Sequence, residues 1–317
     1  MASISISGNS FRSFSFRNSR AQNIFIITTD GFRWQEVFTG ADSAILRSSK
    51  YTNVEAQLKK EYWRQRIDER RKCLMPFLWT TVAEKGQLYG NRTEGSFMNT
   101  ANFYAISYAG YNEILTGTTD AFIYSNEKKL NPNINILEFL AAKDAFRDKV
   151  AAFTSWNLFP YILNGRRNQL YINTDETKTV RPDSVTFSEA KSYLDIHRPK
   201  LLFLSLGETD EFAHSNRYDL YLQQAHRVDS MIADLWHWTQ QTKEYKDNTL
   251  FIITTDHGRG SQPQNWKTHG PFTKGSSQTW MACMGPGILP TEKNERQLYN
   301  RQLAAAIAEA AGYEFRK

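Results

Sequence analysis

The sequence has few cysteines and no long apolar run. Cys73 and Cys283 are its only cysteines and lie far apart, so a disulfide framework is not expected. No stretch approaches the roughly 18 consecutive apolar residues of a membrane-spanning helix. The sequence also lacks a basic stripe and a known nucleic-acid-binding motif. Lys plus Arg (39) nevertheless exceed Asp plus Glu (33), and this mild positive charge favours a small anionic partner.

Residues 1–22 differ in composition from the rest of the chain. They are rich in Ser, Arg and Phe and nearly free of acids, but they lack the apolar core of an export signal. This composition is typical of a disordered tail or of a vestigial export signal, and we expect one domain over residues 23–317. An export signal would place the protein in the periplasm or outside the cell, whereas a plain tail favours the cytoplasm.

The rest of the sequence alternates between predicted strands and helices. Apolar runs predict strands at 23–29, 87–91, 150–154, 201–206, 249–255 and 280–284. Helical spacing predicts helices at 75–85, 107–117, 134–142, 218–241 and 302–311. A loop and one or two helices are expected in 32–72, and Gly86 is expected to end its helix in the left-handed conformation. The alternation predicts an α/β fold with a mostly parallel central sheet flanked by helices on both faces.

One six-residue phrase, Phe-Ile-Ile-Thr-Thr-Asp, occurs at 25–30 and again at 251–256. Each copy is a buried-strand pattern that ends on a carboxylate, Asp30 or Asp256, and His257 follows the second. Ligands of open α/β sheets bind beyond the carboxyl ends of the strands. We therefore expect the two strands to be sheet neighbours that bring these three side chains to one metal ion.

A second group of metal-ligand types follows the predicted strand 201–206. Asp210 and His214 are four residues apart, so a helical turn would put both on one face. His269 lies later, in a polar loop with several glycines. A carboxylate and two imidazoles are a plausible set of ligands for a divalent metal.

Together these positions resemble the metal framework of the alkaline phosphatase superfamily. In that superfamily the nucleophile opens a helix that ends in a Thr-Gly-like pair, here Thr116-Gly117, and the family spacing then selects Ser107. Asp30-Gly31-Phe32-Arg33 and Glu208-Thr209-Asp210 are similar to segments of its nucleotide pyrophosphatase/phosphodiesterase members. The resemblance covers roughly residues 23–290.

The resemblance implies an alkaline phosphatase-like domain with two divalent ions, for which zinc is favoured and Mn²⁺ is the alternative. The metal ligands it implies are Asp30, Ser107, Asp256 and His257 for one ion, and Asp210, His214 and His269 for the other. A metal favours the alkoxide form of a serine hydroxyl, and a pair of metals can clamp an in-line displacement at phosphorus. The implied reaction is hydrolysis of a small anionic phosphate ester, diester or monoester, through a covalent phosphoryl group on Ser107.

Substrate contacts are less well defined by the sequence. The Tyr108 N–H, at the amino end of the helix, is a candidate contact to the transferring group. Gly110 stands where the diesterases usually carry an Asn that contacts a phosphoryl oxygen, and Arg33, Asn112 or Lys267 would have to replace that contact.

Three alternatives remain open at this stage. The first is a sulfatase, although Ala109 and Tyr111 occupy the offsets at which sulfatases carry Pro and Arg. The second is a phosphomutase-like member, whose nucleophile turn the Ser-x-x-Gly pattern resembles. The third is a catalytically silent protein on this fold that binds an anion or a glycan. The sequence leaves the oligomeric state open.

Overall fold

The computed structural model describes Phe16, Ser19, residues 21–290 and residues 295–315. The expectation of a tail or export signal at 1–22 falls almost entirely outside these residues. The strands are Asn23–Thr29 (β1), Gln87–Tyr89 (β2), Phe97–Asn99 (β3), Val150–Thr154 (β4), Tyr171–Asn173 (β5), Leu201–Leu206 (β6), Thr249–Thr254 (β7), Gln278–Thr279 (β8), Met281–Met284 (β9) and Gln297–Tyr299 (β10).

The α-helices are Trp34–Thr39 (α1), Ser43–Leu46 (α2), Glu55–Tyr62 (α3), Ile67–Leu74 (α4), Ala83–Lys85 (α5), Ser107–Thr116 (α6), Ile136–Ala141 (α7), Phe159–Ile162 (α8), Asp183–His197 (α9), Glu208–His214 (α10), Tyr218–Gln241 (α11) and Leu303–Ala310 (α12). A π-helical turn, Leu78–Val82, leads into α5, and 3₁₀ turns lie at Arg92–Glu94, Asp144–Phe146 and Asn300–Gln302. Within the described ranges, none of these helices is long and apolar enough to cross a membrane.

The central sheet has seven strands in the order β2-β9-β7-β1-β6-β4-β5. Strands β7, β1, β6, β4 and β5 are parallel, whereas β9 and β2 join through antiparallel pairs. Alternate residues of β1 enter two different apolar cores: Phe25 and Ile27 pack with Leu222 of α11, and Ile24 and Ile26 pack in the core that holds α6 and α12. A strand buried on both faces needs a helical layer on each, so the predicted α/β fold is confirmed.

The two copies of the repeated phrase lie side by side. Strand β1 pairs with β7 in register, with Phe25 opposite Phe251 and Thr28 opposite Thr254. Its other neighbour is β6, which leads directly into α10. The carboxyl ends of three adjacent strands therefore meet at one edge of the sheet.

Several local predictions were wrong. Residues 32–72 hold four helices, α1 to α4, and the pattern there was too polar to reveal them. Gly86 has an extended backbone (φ −135°), and a Cβ there would overlap the carbonyl of Cys283, so close strand packing is the reason for the glycine. Strands β3, β8 and β10 form a second sheet that was not predicted, because strands of two or three residues show no periodicity.

Candidate active site

The site lies at the carboxyl ends of β1, β7 and β6, facing the start of α6. Asp30 follows β1, Asp256 and His257 follow β7, and α10 begins two residues after β6. Ser107 is the first residue of α6 and is 5% exposed. Its Oγ lies 3.4 Å from Asp30 Oδ1 and 3.1 Å from His257 Nε2. The serine hydroxyl is thus in contact with groups from two neighbouring strands.

We call Asp30, Asp256 and His257 the inner cluster. His257 Nε2 lies 3.5 Å from Asp30 Oδ1 and 3.4 Å from Asp256 Oδ2. His257 Nδ1 donates to the Gly258 carbonyl (2.9 Å), which leaves the Nε2 lone pair facing the carboxylates. Asp256 Oδ1 accepts from the Gly31 N–H (3.0 Å), whereas Asp256 Oδ2 is buried and accepts no hydrogen bond from any described residue.

We call Asp210, His214 and His269 the outer cluster. His214 Nε2 lies 3.1 Å from both Asp210 Oδ2 and His269 Nε2. His269 Nδ1 donates to the Ala105 carbonyl (3.0 Å), so its Nε2 also faces the cluster. Ligand atoms of Asp210, Asp30 and His257 all lie within 4.8 Å of one another, as do those of the outer cluster. Asp210 therefore belongs to both groups and joins them.

The electrostatics of the inner cluster favour a bound cation. Burial raises the pKa of Asp256 to about 7, and burial together with the Asp256 charge raises the pKa of Asp30 to about 7. Burial also lowers the pKa of His257, which keeps the imidazole neutral as a ligand must be. Two carboxylates, a neutral imidazole and the unpaired Asp256 Oδ2 fit a divalent ion, because buried carboxylates normally pair with a cation or a donor.

Two residues that the sequence did not single out hold Asp30 in place. Tyr111 donates its hydroxyl to Asp30 Oδ2 (3.1 Å), and Thr209 donates to the Asp30 carbonyl (2.6 Å). Tyr111 lies four residues after Ser107, so both project from one face of α6. That spacing was the available signal for Tyr111, whereas nothing in the sequence connected Thr209 with Asp30.

Arg259 is a second unexpected member of the site. Its guanidinium is buried and contacts the Asp210 carboxylate, while its Nε donates to the Gly31 carbonyl (3.0 Å). Gly31 has φ +56°, and a Cβ there would lie 2.8 Å from Arg259 Nε, so the glycine makes room for the arginine. Burial lowers the pKa of Arg259 to about 9. A fixed positive charge thus lies against the carboxylate that joins the two clusters.

Asp183 fixes the start of α10, the helix that carries Asp210 and His214. Its carboxylate accepts from the N–H groups of Gly207 (2.8 Å) and Glu208 (3.2 Å), which have no partners within the helix. Burial raises the pKa of Asp183 to about 6.

The residues predicted to contact substrate are placed in different ways. The Tyr108 N–H donates to the side chain of Asn126 (3.0 Å), so an exposed loop side chain fills the position expected for an anion. The Gly110 N–H donates to Ile106 within α6, and a Cβ at Gly110 would lie 2.5 Å from the Asp256 carbonyl oxygen. Gly110 therefore allows α6 to pack closely against the inner cluster, because any larger residue would collide with Asp256.

The three residues proposed to replace the missing asparagine make other contacts. Arg33 is buried and is held by Glu36 (Nε to Oε2, 2.8 Å) and by the Gly260 carbonyl. Asn112 donates to the Thr118 carbonyl (2.8 Å) in a buried network below the site. Lys267 contributes its carbonyl, which accepts a bond from Arg259. These contacts support structural roles for Arg33 and Asn112 and do not bring either side chain to Ser107.

Solved structures of low sequence identity share this fold. Alkaline phosphatase PafA aligns over 93% of this chain and 96% of its own, with 10% identity and a TM-score of 0.61. BT1596, a 2-O GAG sulfatase, aligns over 92% and 71%, with 12% identity and a TM-score of 0.59. A protein of the alkaline phosphatase superfamily from Vibrio parahaemolyticus aligns over 93% and 69%, with 12% identity and a TM-score of 0.55.

No curated protein matches the sequence significantly. The sequence model of the type I phosphodiesterase / nucleotide pyrophosphatase family matches residues 41–275, which include Ser107, the outer cluster, Asp256 and His257. This range is well over half of the chain. The resemblance to the alkaline phosphatase superfamily is thereby confirmed, and the chain belongs to the type I phosphodiesterase / nucleotide pyrophosphatase family of hydrolases.

Proposed function

We propose that this protein hydrolyses phosphate esters, diesters or monoesters, with Ser107 as the nucleophile. The observation that carries the proposal is the position of Ser107 Oγ, 3.4 Å from Asp30 Oδ1 and 3.1 Å from His257 Nε2. A serine at the start of a helix is often only an N-cap, but no side-chain cap bond is formed in α6. The hydroxyl is directed instead to the two acceptors of the inner cluster.

The chain's own residues supply most of the chemistry that such a reaction needs. Asp30 Oδ1 and His257 Nε2 are the acceptors within reach of the Ser107 proton. An anion at the amino end of α6 would replace the Asn126 side chain as the acceptor of the Tyr108 N–H. Oγ then bonds to phosphorus as the bond to the leaving oxygen breaks, and water later cleaves the phosphoserine. Divalent ions held by the inner and outer clusters would supply the positive charge that favours the alkoxide and stabilises the leaving oxygen.

The residue types in the two clusters fit two divalent ions. Three carboxylates and three imidazoles form a mixed oxygen and nitrogen ligand set that suits zinc, and Mn²⁺ is the alternative because oxygen ligands also suit it. Asp256 would give its unpaired Oδ2, and His257 and His269, whose Nδ1 atoms already donate to backbone carbonyls, would give their Nε2 atoms. Elemental analysis of the purified protein tests this, with two equivalents of one metal as the expected result.

A sulfate ester is the second substrate class to test, because sulfatases share this fold. Against it, α6 carries Ala109 and Tyr111 at the offsets that sulfatase maturation requires to be Pro and Arg. Tyr111 is instead bonded to Asp30. The family match likewise favours phosphorus as the centre attacked.

The decisive experiment compares rates on nitrophenyl phosphate, its bis-ester and nitrophenyl sulfate for wild type and Ser107→Ala. We expect a phosphate ester to be preferred and Ser107→Ala to lose about 10³-fold or more in kcat, as nucleophile removal does elsewhere. Ser230→Ala is the matched control, since Ser230 is exposed on α11 and bonds only its own helix (to the His226 carbonyl, 3.1 Å). Full activity in Ser107→Ala, or a preference for the sulfate, would overturn the proposal.

A further inference from the structure

A basic cleft of about 590 Å³ opens at the end of the central sheet opposite Ser107. Its walls come from the amino ends of four adjacent strands: Asn23 begins β1, Lys149 and Lys200 immediately precede β4 and β6, and Asn248 precedes β7. Pockets that bind small molecules usually measure about 300–1,000 Å³, so the cleft has the capacity for a sugar-sized or nucleotide-sized ligand.

The charge on the cleft is strongly one-sided. Lys149, Arg198, Lys200 and Lys243 line it, against one carboxylate, Glu244. Among the described residues, none of the four cations lies within 4 Å of a carboxylate oxygen. Lysines and arginines on a protein surface commonly pair with nearby acids, so four uncompensated cations around one cavity create a local positive potential.

Arg198 provides the second, independent observation. Its guanidinium carbon lies 5.0 Å from the centre of the Trp238 ring, within the distance of a cation–π interaction. Its Nη1 is buried and donates to no described residue. Buried polar groups in folded proteins are nearly always hydrogen-bonded, so Arg198 retains an N–H that no described residue satisfies, on a side chain that lines the cleft.

Hydrogen bonds hold the walls of the cleft in place and leave N–H donors of its cationic side chains available. Tyr245 donates its hydroxyl to the Pro199 carbonyl (2.7 Å), and Asn23 donates to the Glu244 carbonyl (2.9 Å). Lys149 Nζ reaches the His197 carbonyl (3.3 Å), and a lysine ammonium has two further donors. The arrangement needs no large movement to accept an anion.

We propose that this basic cleft is a second anion-binding site, which takes a small molecule bearing two phosphate or sulfate groups. Two phosphate or sulfate groups would balance the charge of the four cations. The planar guanidinium of Arg198 suits bidentate hydrogen bonding to one of these groups. The ligand would bind at the amino ends of the strands, whereas Ser107 lies at their carboxyl ends. Its binding therefore does not depend on the reaction proposed for Ser107.

Isothermal titration calorimetry on the full-length Ser107→Ala protein tests the site, with fructose 1,6-bisphosphate and a disulfated disaccharide as separate probes. The proposal predicts a binding event that weakens at least tenfold in Arg198→Gln/Lys200→Gln and remains unchanged in Lys59→Gln/Lys60→Gln, which alters net charge equally on exposed α3. The two probes show whether phosphate or sulfate is preferred. In the otherwise wild-type chain, the cleft substitutions should leave ester hydrolysis unchanged.

Lys243→Gln serves as a second test, because Lys243 is exposed and we expect its substitution to leave the fold intact. It should weaken the same binding event by a smaller factor, and the loss should shrink as salt concentration rises. If both probes bind the Arg198→Gln/Lys200→Gln protein with unchanged affinity and stoichiometry, or if neither binds the parent, the proposal is wrong.

Discussion

The inner and outer clusters use similar ligands in different surroundings. Asp256 and His257 are fully buried, whereas the His214 side chain of the outer cluster is 48% exposed. An unpaired charge costs much free energy in the buried inner cluster and little beside the exposed His214. We therefore expect the inner cluster to hold a cation tightly as part of the folded structure. The outer cluster, in which His214 is open to solvent, should hold one more weakly and be the side on which a leaving group departs.

The two clusters are also coupled. The rings of His257 and His269 stack with centroids 3.9 Å apart, and Asp210 contributes to both groups. Arg259 contacts Asp210 at this junction, so the structure holds a permanent cation where the clusters meet. Substitutions in one cluster should consequently affect the other, and the size of that effect measures how far the two are separate sites.

Asp256→Asn should give the largest change in this comparison. If Asp256 Oδ2 is a ligand, the variant should lose the inner ion and about 10²–10³-fold in kcat, since this ligand and its charge are both removed. Metal content and kcat are the measurements. Asp234→Asn, an exposed carboxylate that pairs with Lys191 on the surface, is the control and should change neither.

The same substitution should stabilise the metal-free protein against unfolding. The pKa of Asp256 is raised from 3.8 to about 7, so its contribution to stability is fully present below pH 3.8 and is lost as pH rises through about 7. Above pH 7 the buried charge destabilises the metal-free fold, and Asn removes that charge. At pH 8, metal-free Asp256→Asn should therefore be more stable than metal-free wild type by roughly 1–4 kcal/mol in unfolding free energy. The measurement is the Tm of the two proteins, which should be higher for the variant. A lower Tm would show that Asp256 is not strained by burial.

Gly110→Ala should disturb the inner cluster without removing any ligand. The new Cβ would lie 2.5 Å from the Asp256 carbonyl oxygen, so α6 must move away and carry Ser107 with it. We expect a loss of roughly 1–3 kcal/mol in stability from overpacking, and a fall in kcat of about tenfold or more from misplacement of the nucleophile. Gly165→Ala is the control, because its Cβ would meet the flexible end of the Ile172 side chain (3.1 Å) and would lie at ordinary contact distance (3.7 Å) from the Pro160 carbonyl oxygen. Unchanged activity would mean that Gly110 does not set the position of Ser107.

The fold was predictable because buried parallel strands leave a clear pattern. The run 25–29 and its copy 251–254 had to be buried, and their carboxyl ends had to meet at one edge. The identities of Asp30, Asp256 and His257 as neighbours followed from that alone. Ser107 required the family resemblance, since a serine at a helix start is otherwise an ordinary N-cap.

What the sequence did not reveal depends on contacts between distant segments. Gly110 packs on the carbonyl of Asp256, two residues after β7. Arg259 reaches the carboxylate of Asp210, and Asn126 accepts a hydrogen bond from the Tyr108 N–H from a separate loop. The sequence shows no spacing or periodicity from which any of these contacts could be predicted. Arg33 lies beside the predicted site but is buried and paired with Glu36, only three residues away. Its contact with substrate stays a prediction.

His214→Ala tests the outer cluster directly. We expect loss of one metal equivalent, retention of the other, and a fall in kcat of about 10–100-fold, the range typical of weakened metal ligation. The drop should be smaller than for Asp256→Asn, because water can replace an exposed ligand more easily than a buried one. His237→Ala, an exposed histidine on α11, is the matched control. Loss of both ions in His214→Ala would mean that the two clusters bind metal as one unit.

Tyr111→Phe should have the smallest effect and should act only on the inner cluster. The substitution removes the hydrogen bond that the Tyr111 hydroxyl accepts from Ser205 Oγ (3.2 Å) and the one that it donates to Asp30 Oδ2 (3.1 Å). It keeps the ring packed against Phe159. The hydrogen bond from Tyr111 to Asp30 lowers the pKa of Asp30 against the larger effect of burial, so this pKa should rise when the bond is lost. We expect kcat to fall about 3–10-fold, corresponding to a loss of about 1 kcal/mol in hydrogen bonding, and the acidic limb of the pH–rate profile to move to higher pH. A profile that does not move, with metal content unchanged, would separate Tyr111 from the ionisation of Asp30 and leave the cluster's protonation to Asp256 and His257.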